Sequence, residues 1–268
     1  ATVNATGGDG GAGIGGGRGG NGRNIEISGN AKVYSTGGNG AAGIGGGSYR
    51  DGSNIAISGN ATVNATGGDG GAGIGGGGES GNGKNITISD KANVIARGGR
   101  RATGIGGGSK GNGENITISD YATVTATGDD GGAGIGGGCY TFRFTYLEKG
   151  GNGSNITISG NPTILVTSCS EGRVGFGNGF GAIGESKITI SGGTITTLDC
   201  IPFSNRPDLS HYNCDIYLNY VILNDEILED LSDDLFTSYA DRFKIISEGS
   251  RRCSFLLCTF IQTESRCS

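Results

Sequence analysis

Asn115-Ile116-Thr117-Ile118-Ser119, Ala122-Thr123-Val124-Thr125-Ala126 and Gly132-Ala133-Gly134-Ile135-Gly136-Gly137-Gly138 follow one another in the chain, and the same three phrases recur along most of its length. The apolar residue at the centre of the second phrase falls at Val3, Val33, Val63, Val94, Val124 and Ile164, in steps of 30, 30, 31, 30 and 40 residues. Self-similarity at that period marks stacked supersecondary units, none of which can bury its apolar face alone. The expected fold is mainly β: a parallel β-solenoid of about six to seven coils of about 30 residues.

Within a coil the apolar marks lie some ten residues apart, as at Ile25, Val33 and Ile44, which predicts three short segments per turn. Ile25 and Ile27 alternate with Glu26 and Ser28, and Val3 and Ala5 with Asn4 and Thr6. That period of two belongs to strands with one buried face. In the third segment Ile14, Ile44, Ile74, Ile105 and Ile135 stand between glycines and are expected to stack as one column. The 60 glycines lack the strict three-residue period of collagen. Strings such as Gly104-Ile105-Gly106-Gly107-Gly108 lack the Gly-Lys-Ser/Thr ending of a phosphate loop.

The phrases at residues 54–76 and 115–138 resemble the glycine-rich right-handed β-helix repeats of large microbial surface and adhesin-type proteins. The resemblance covers residues 1 to about 198. It implies an extracellular or cell-surface location and a structural, adhesive or carbohydrate-binding role. It carries no catalytic residue, because the repeated residues are architectural.

Two regimes of composition divide the chain into 1–198, the solenoid, and 199–268, a small cysteine-rich α+β cap or assembly module. The first holds 14 Lys+Arg against 13 Asp+Glu and the second 6 against 12, net charges of +1 and −6. A balanced solenoid lacks the clustered positive charge that nucleic acid requires, and Arg97, Arg100 and Arg101 read as a solvated corner. No run of 18 apolar residues is present, so no membrane span is expected. In the tail, Ile216–Leu223 reads as a strand and Asp225–Phe243 as an amphipathic helix carrying Ile227, Leu228, Leu231 and Leu235 on one face. Phe243–Ile246 and Phe255–Ile261 read as two further strands. Residues 139–149 form an arm-like insertion that accounts for the 40-residue step, with Tyr140, Phe142, Phe144 and Tyr146 as a contact strip.

Cys139, Cys169, Cys200, Cys214, Cys253, Cys258 and Cys267 all follow the fourth repeat. No Cys-x2-Cys pair exists and His211 is the only histidine, which disfavours zinc and favours disulfides in an oxidising compartment, one cysteine being left over. Glycosylation sequons begin at Asn4, Asn60, Asn64, Asn85, Asn115, Asn152 and Asn155. Asn24, Asn54, Asn85, Asn115 and Asn155 also occupy equivalent places, where stacked amides can form a ladder inside a corner and exclude glycans. Asn4 and Asn64 are therefore the favoured sugar carriers. No cofactor is expected. Calcium at Asp9, Asp69, Asp129 and Asp130, or on the acidic face of the tail helix, matches no specific motif.

An enzyme is not expected, since one histidine beside Ser210 and Tyr212 makes no nucleophile and base pair, and Asn39 and Arg100 interrupt the aspartate column. The preferred reading is a structural extracellular protein, a rigid solenoid joining head to tail with its neighbours into a surface fibre or appendage. The open coil at the start of the sequence is the expected docking edge. The second reading is an adhesin or carbohydrate-binding stalk that contacts surface glycans. Tyr34, Tyr49, Tyr121 and Tyr140 would serve it if they lined one groove. An ice-binding face is disfavoured, because Lys32, Tyr34 and Arg97 break the threonine rows.

Overall fold

Three parallel sheets run along the axis, and each of the first six coils contributes one strand to each. The computed structural model describes residues 1–139, 149–168, 174–184 and 186–198, with the backbone of 201–203, 214–218, 222–223 and 226–227. Sheet one orders Thr2–Thr6, Lys32–Thr36, Thr62–Thr66, Asn93–Arg97, Thr123–Gly128, Thr163–Ser168, Gly193–Leu198 and Cys214–Leu218. Sheet two holds the two-residue strands Ile14–Gly15, Ile44–Gly45, Ile74–Gly75, Ile105–Gly106 and Ile135–Gly136, followed by Val174–Gly177 and Ile201–Phe203. Sheet three stacks Gly22–Ile27, Gly52–Ile57, Gly83–Ile88, Gly113–Ile118, Gly153–Ile158 and Ile188–Ile190.

Register is kept residue for residue because the side-chain period of two would turn the apolar set outward after a one-residue slip. Val33 pairs with Val63, Val63 with Val94, and Val124 with Ile164. Ile55 pairs with Ile86, Ile86 with Ile116, and Ile116 with Ile156. The predicted column of sheet two is present: Ile14, Ile44, Ile74, Ile105 and Ile135 pair in succession, and fully buried Phe176 takes the next place. These columns form one core along the axis.

The side that carries sheet two is two backbones thick. A β-turn precedes each Ile-Gly strand, as where Ala41 N–H donates to the Gly38 carbonyl (2.9 Å), and another follows it, as where Arg50 N–H donates to Gly47 (3.0 Å). The two turns fold over the strand and meet across coils. Ser48 N–H donates to the Gly10 carbonyl, Gly78 to Gly40, Ser109 to Gly70 and Cys139 to Arg101, each at 2.8 Å. Peptides therefore replace side chains as packing material here. Gly106 makes the constraint explicit: its φ is +133°, and a Cβ there would lie 2.1 Å from the Gly136 carbonyl oxygen. The other strands of the column share both features at Gly15, Gly45, Gly75 and Gly136.

Beyond residue 198 the ladder goes on. Ile201–Phe203 pairs with Val174–Gly177, and Cys214–Leu218 pairs with Gly193–Leu198, so two sheets extend past the loss of glycine. The tail strand expected over Ile216–Leu223 falls instead in two pieces, Cys214–Leu218 and Ile222–Leu223. The helix expected from Asp225 is corrected at its start, since Glu226–Ile227 pairs antiparallel with Ile222–Leu223. Apolar residues at Ile222, Leu223 and Ile227 serve a hairpin as well as a helix, and spacing alone does not separate the two. The rest of that helix and the strands at Phe243–Ile246 and Phe255–Ile261 lie outside the described residues.

Candidate functional site: the turn seam and its flanking amide columns

Along the double-layered side the two rows of turn tips run as a seam. The first row presents Asp9, Asn39, Asp69, Arg100 and Asp130, and the second presents Arg18, Tyr49, Glu79 and Lys110. Tyr49, Arg101 and Lys110 have φ values of 66°, 65° and 62°, a left-handed conformation that glycine fills in other coils. A bulky residue there is uncommon and costs on the order of 1 kcal/mol or more. Tyr49 bears that cost while 68% exposed.

Charges on the tips pair along and across the seam. Arg18 lies 3.7 Å from Asp9, Lys110 3.2 Å from Glu79, and Arg100 and Arg101 lie 3.3 and 3.5 Å from Asp130. Pairs this exposed contribute about 1 kcal/mol or less each. They set a surface pattern of alternating sign more than they hold the coils. The arm springs from this seam, because Gly151 N–H closes on the Gly138 carbonyl (2.8 Å) as Gly111 does on Gly108, with residues 139–150 between.

Two amide columns flank sheet three. Asn24, Asn54, Asn85, Asn115 and Asn155 all have φ between 53° and 55° and face one another across the strands without a ladder pairing of their own, so each is a left-handed kink repeated in register from coil to coil. Their side chains form a ladder: Asn54 Nδ2 donates to Asn24 Oδ1 (3.0 Å), Asn85 to Asn54 (3.0 Å), Asn115 to Asn85 (2.9 Å) and Asn155 to Asn115 (3.1 Å). The expected ladder exists, but it is exposed rather than enclosed in a corner. The left-handed kink turns these side chains out of the wall.

The second column was not anticipated. Asn21, Asp51, Asn82, Asn112 and Asn152 stand one before the first residue of the first five strands of sheet three. Each offers Oδ1 to a backbone N–H of the next coil: Asp51 (3.0 Å), Asn82 (2.8 Å), Asn112 (2.9 Å), Asn152 (2.8 Å) and Gly184 (3.0 Å). The signal in the sequence is an Asn-Gly or Asp-Gly pair recurring at the coil period.

Other expected residues are dispersed. Asn4 is exposed on the outer face of sheet one, and Asn64, in the same column, is half-buried with its Oδ1 accepting from Arg97 Nη1 (3.4 Å). Asn60 is exposed at a corner and donates to Asn30 Oδ1 (3.2 Å). Tyr34 projects from sheet one, Tyr49 from the seam and Tyr121 from the corner between sheets three and one, so these three tyrosines do not line one groove. Asp129 accepts from Asp130 N–H at 2.8 Å, and Asp9, Asp69 and Asp130 stand two coils apart with Asn39 or Arg100 between. Among the described residues no group of three His, Cys, Asp or Glu is placed to hold a metal, and no helix is long and apolar enough to cross a membrane. Cys139 is buried at the root of the arm. Cys214 lies in a sheet-one strand of which only the backbone is described. Cys169, Cys200, Cys253, Cys258, Cys267 and the arm residues Tyr140, Phe142, Phe144 and Tyr146 lie outside the described residues.

A family model described as a beta helix repeat matches residues 1–18, 55–78, 86–109 and 116–139. Comparison with curated proteins and with solved structures gives no match. The matched segments carry phrases that form the stacked strands and the seam, and the described residues up to 198 fold as a parallel β-solenoid.

Proposed function

We propose that this chain is a non-enzymatic structural protein of the extracellular space or cell surface, a rigid segment of a fibre or appendage. The observation that carries the reading is the continuity of backbone bonding between coils on every side: three in-register parallel sheets and, over sheet two, a second layer of turn-to-turn bonds. Such a rod resists bending because any bend must break several ladders at once. A parallel coil edge is also extended by any matching coil, so length in the fibre comes from further coils stacked head to tail on the same axis. Electron microscopy and fibre diffraction of natively isolated material test this. Straight filaments with an axial spacing of about 4.8 Å support it; discrete particles that turn over a polysaccharide overturn it.

An adhesin or glycan-binding stalk is the second reading, favoured by the place of the insertion. Loops on a rigid scaffold are where recognition concentrates, and the one ten-residue gain in the repeat enters at the seam. Deleting residues 140–148 is expected to abolish adhesion to host or microbial glycans without unfolding the coils if this reading holds. Adhesion unchanged by the deletion would exclude the arm.

A further inference from the structure

Stacking on sheet three imposes a glycine after each residue of the second amide column. A Cβ on Gly22, Gly83, Gly113 or Gly153 would lie within 1.9–2.2 Å of the carbonyl oxygen of Gly45, Gly106, Gly136 or Gly177. The residue before it must supply a side-chain oxygen to the next coil. Architecture alone thus writes Asn21-Gly22, Asn82-Gly83, Asn112-Gly113 and Asn152-Gly153. An Asn-Gly pair is chemically labile, since no Cβ hinders attack of the glycine nitrogen on the asparagine Cγ. Ring closure expels ammonia and gives a succinimide, which water opens to aspartate or, through the other carbonyl, to isoaspartate.

In the folded coil both participants in that closure are held. The nucleophilic nitrogens are spent as donors: Gly22 N–H to the Asp51 carbonyl (3.0 Å), Gly83 to Asn112 (2.8 Å), Gly113 to Asn152 (2.8 Å) and Gly153 to Asn178 Oδ1 (2.9 Å). The electrophilic amides are pinned in the opposite sense, each Oδ1 accepting from the coil above. Reaching the nitrogen requires the amide to leave that bond and the strand to leave its neighbour, which means separating two coils. We infer that these four Asn-Gly pairs are deamidation sites kept closed by the stack, so that isoaspartate marks any coil that has opened.

Two features of the chain fit this arrangement. Asp51 already stands in the column and does the same work, accepting from the Asn82 N–H. The exposed ladder, where each interior amide must both donate and accept, has isoleucine after every asparagine, at Ile25, Ile55, Ile86, Ile116 and Ile156. A β-branched neighbour hinders the closure.

Incubation of the full-length protein in mildly alkaline buffer, with and without denaturant, followed by peptide mass spectrometry and isoaspartate detection, tests the inference. Asn39-Gly40, at an exposed turn tip, is the internal comparison: its Gly40 N–H donates to the Asp69 carbonyl (2.8 Å) as the column glycines do to their neighbours, but the Asn39 side chain has no hydrogen-bond partner among the described residues. Native protein is expected to deamidate at the column about 100-fold or more slowly than unfolded protein, the ratio reporting the opening equilibrium of the coil. In denaturant the column should keep pace with Asn39. Column deamidation in the native protein as fast as in denaturant would overturn the inference.

Discussion

Sheet three and the seam side stack the same coils by opposite means. On sheet three the coils meet through isoleucine side chains and amides, whereas over sheet two they meet through peptide groups with no room for a side chain. The first kind of contact tolerates drift. Side-chain columns in the other two sheets drift likewise: Val124 gives way to Ile164 in sheet one, and Ile135 to Phe176 on the core side of sheet two. The second kind does not, because a carbonyl oxygen cannot move aside without breaking its own bonds above and below. Tolerance returns only at the turn tips, where Asp, Asn, Arg, Tyr, Glu and Lys interchange. On that side of the coils, charged and aromatic variation and the insertion are thereby confined to the turn tips.

Substitution at the seam should give the largest loss. Gly106→Ala places a methyl 2.1 Å from the Gly136 oxygen at a φ of +133°, and a loss of about 5 kcal/mol or more is expected, read as collapse of cooperative denaturant unfolding. Loss of under 1 kcal/mol would mean that the coils can slide apart locally and that the seam is softer than its bonding implies. Next in size is Ile105→Ala, which leaves a cavity in a fully buried column beside that same glycine. About 3 kcal/mol of destabilisation is expected in the same assay. The order of these two variants is the comparison in its simplest form: adding one methyl group to the seam should harm more than removing three carbons from the core.

Much of this was legible in sequence, and for an identifiable reason. A 30-residue repeat averages away local ambiguity, so the three strands, the inward columns and the Ile14 to Ile135 stack could be assigned from alternation alone. The seam was not legible. Glycine signals that the backbone needs space or a left-handed turn, but it does not say which other backbone fills the space. The exposed ladder was read in the right residues and the wrong environment, because periodicity gives equivalence between coils and not the left-handed kink that turns Asn24, Asn54, Asn85, Asn115 and Asn155 outward. The acceptor column at Asn21, Asp51, Asn82, Asn112 and Asn152 was missed because the nearby Asn-Ile-x-Ile phrase offered a stronger signal. In the tail the repeat ends, and with it the averaging; the apolar residues from Ile222 to Ile227 then fit a hairpin or a helix equally well.

The smallest expected effect separates the two amide columns. Asn115 donates Nδ2 to Asn85 Oδ1 and accepts from Asn155 Nδ2, so Asn115→Asp sets two oxygens against each other and should cost about 1 kcal/mol, moderated by exposure. Asn152 gives only its Oδ1, to the Gly184 N–H. Asn152→Asp keeps that acceptor and makes it charge-assisted, so stability should change by about 0.5 kcal/mol or less. Both variants are isosteric, and they stand in adjacent coils of sheet three. A difference in thermal midpoint between them therefore isolates the donor, and equal midpoints would mean that the exposed ladder contributes nothing to stacking. In that case the left-handed kink alone, for which Asn and Asp are both suited, would account for an Asn at every one of those positions.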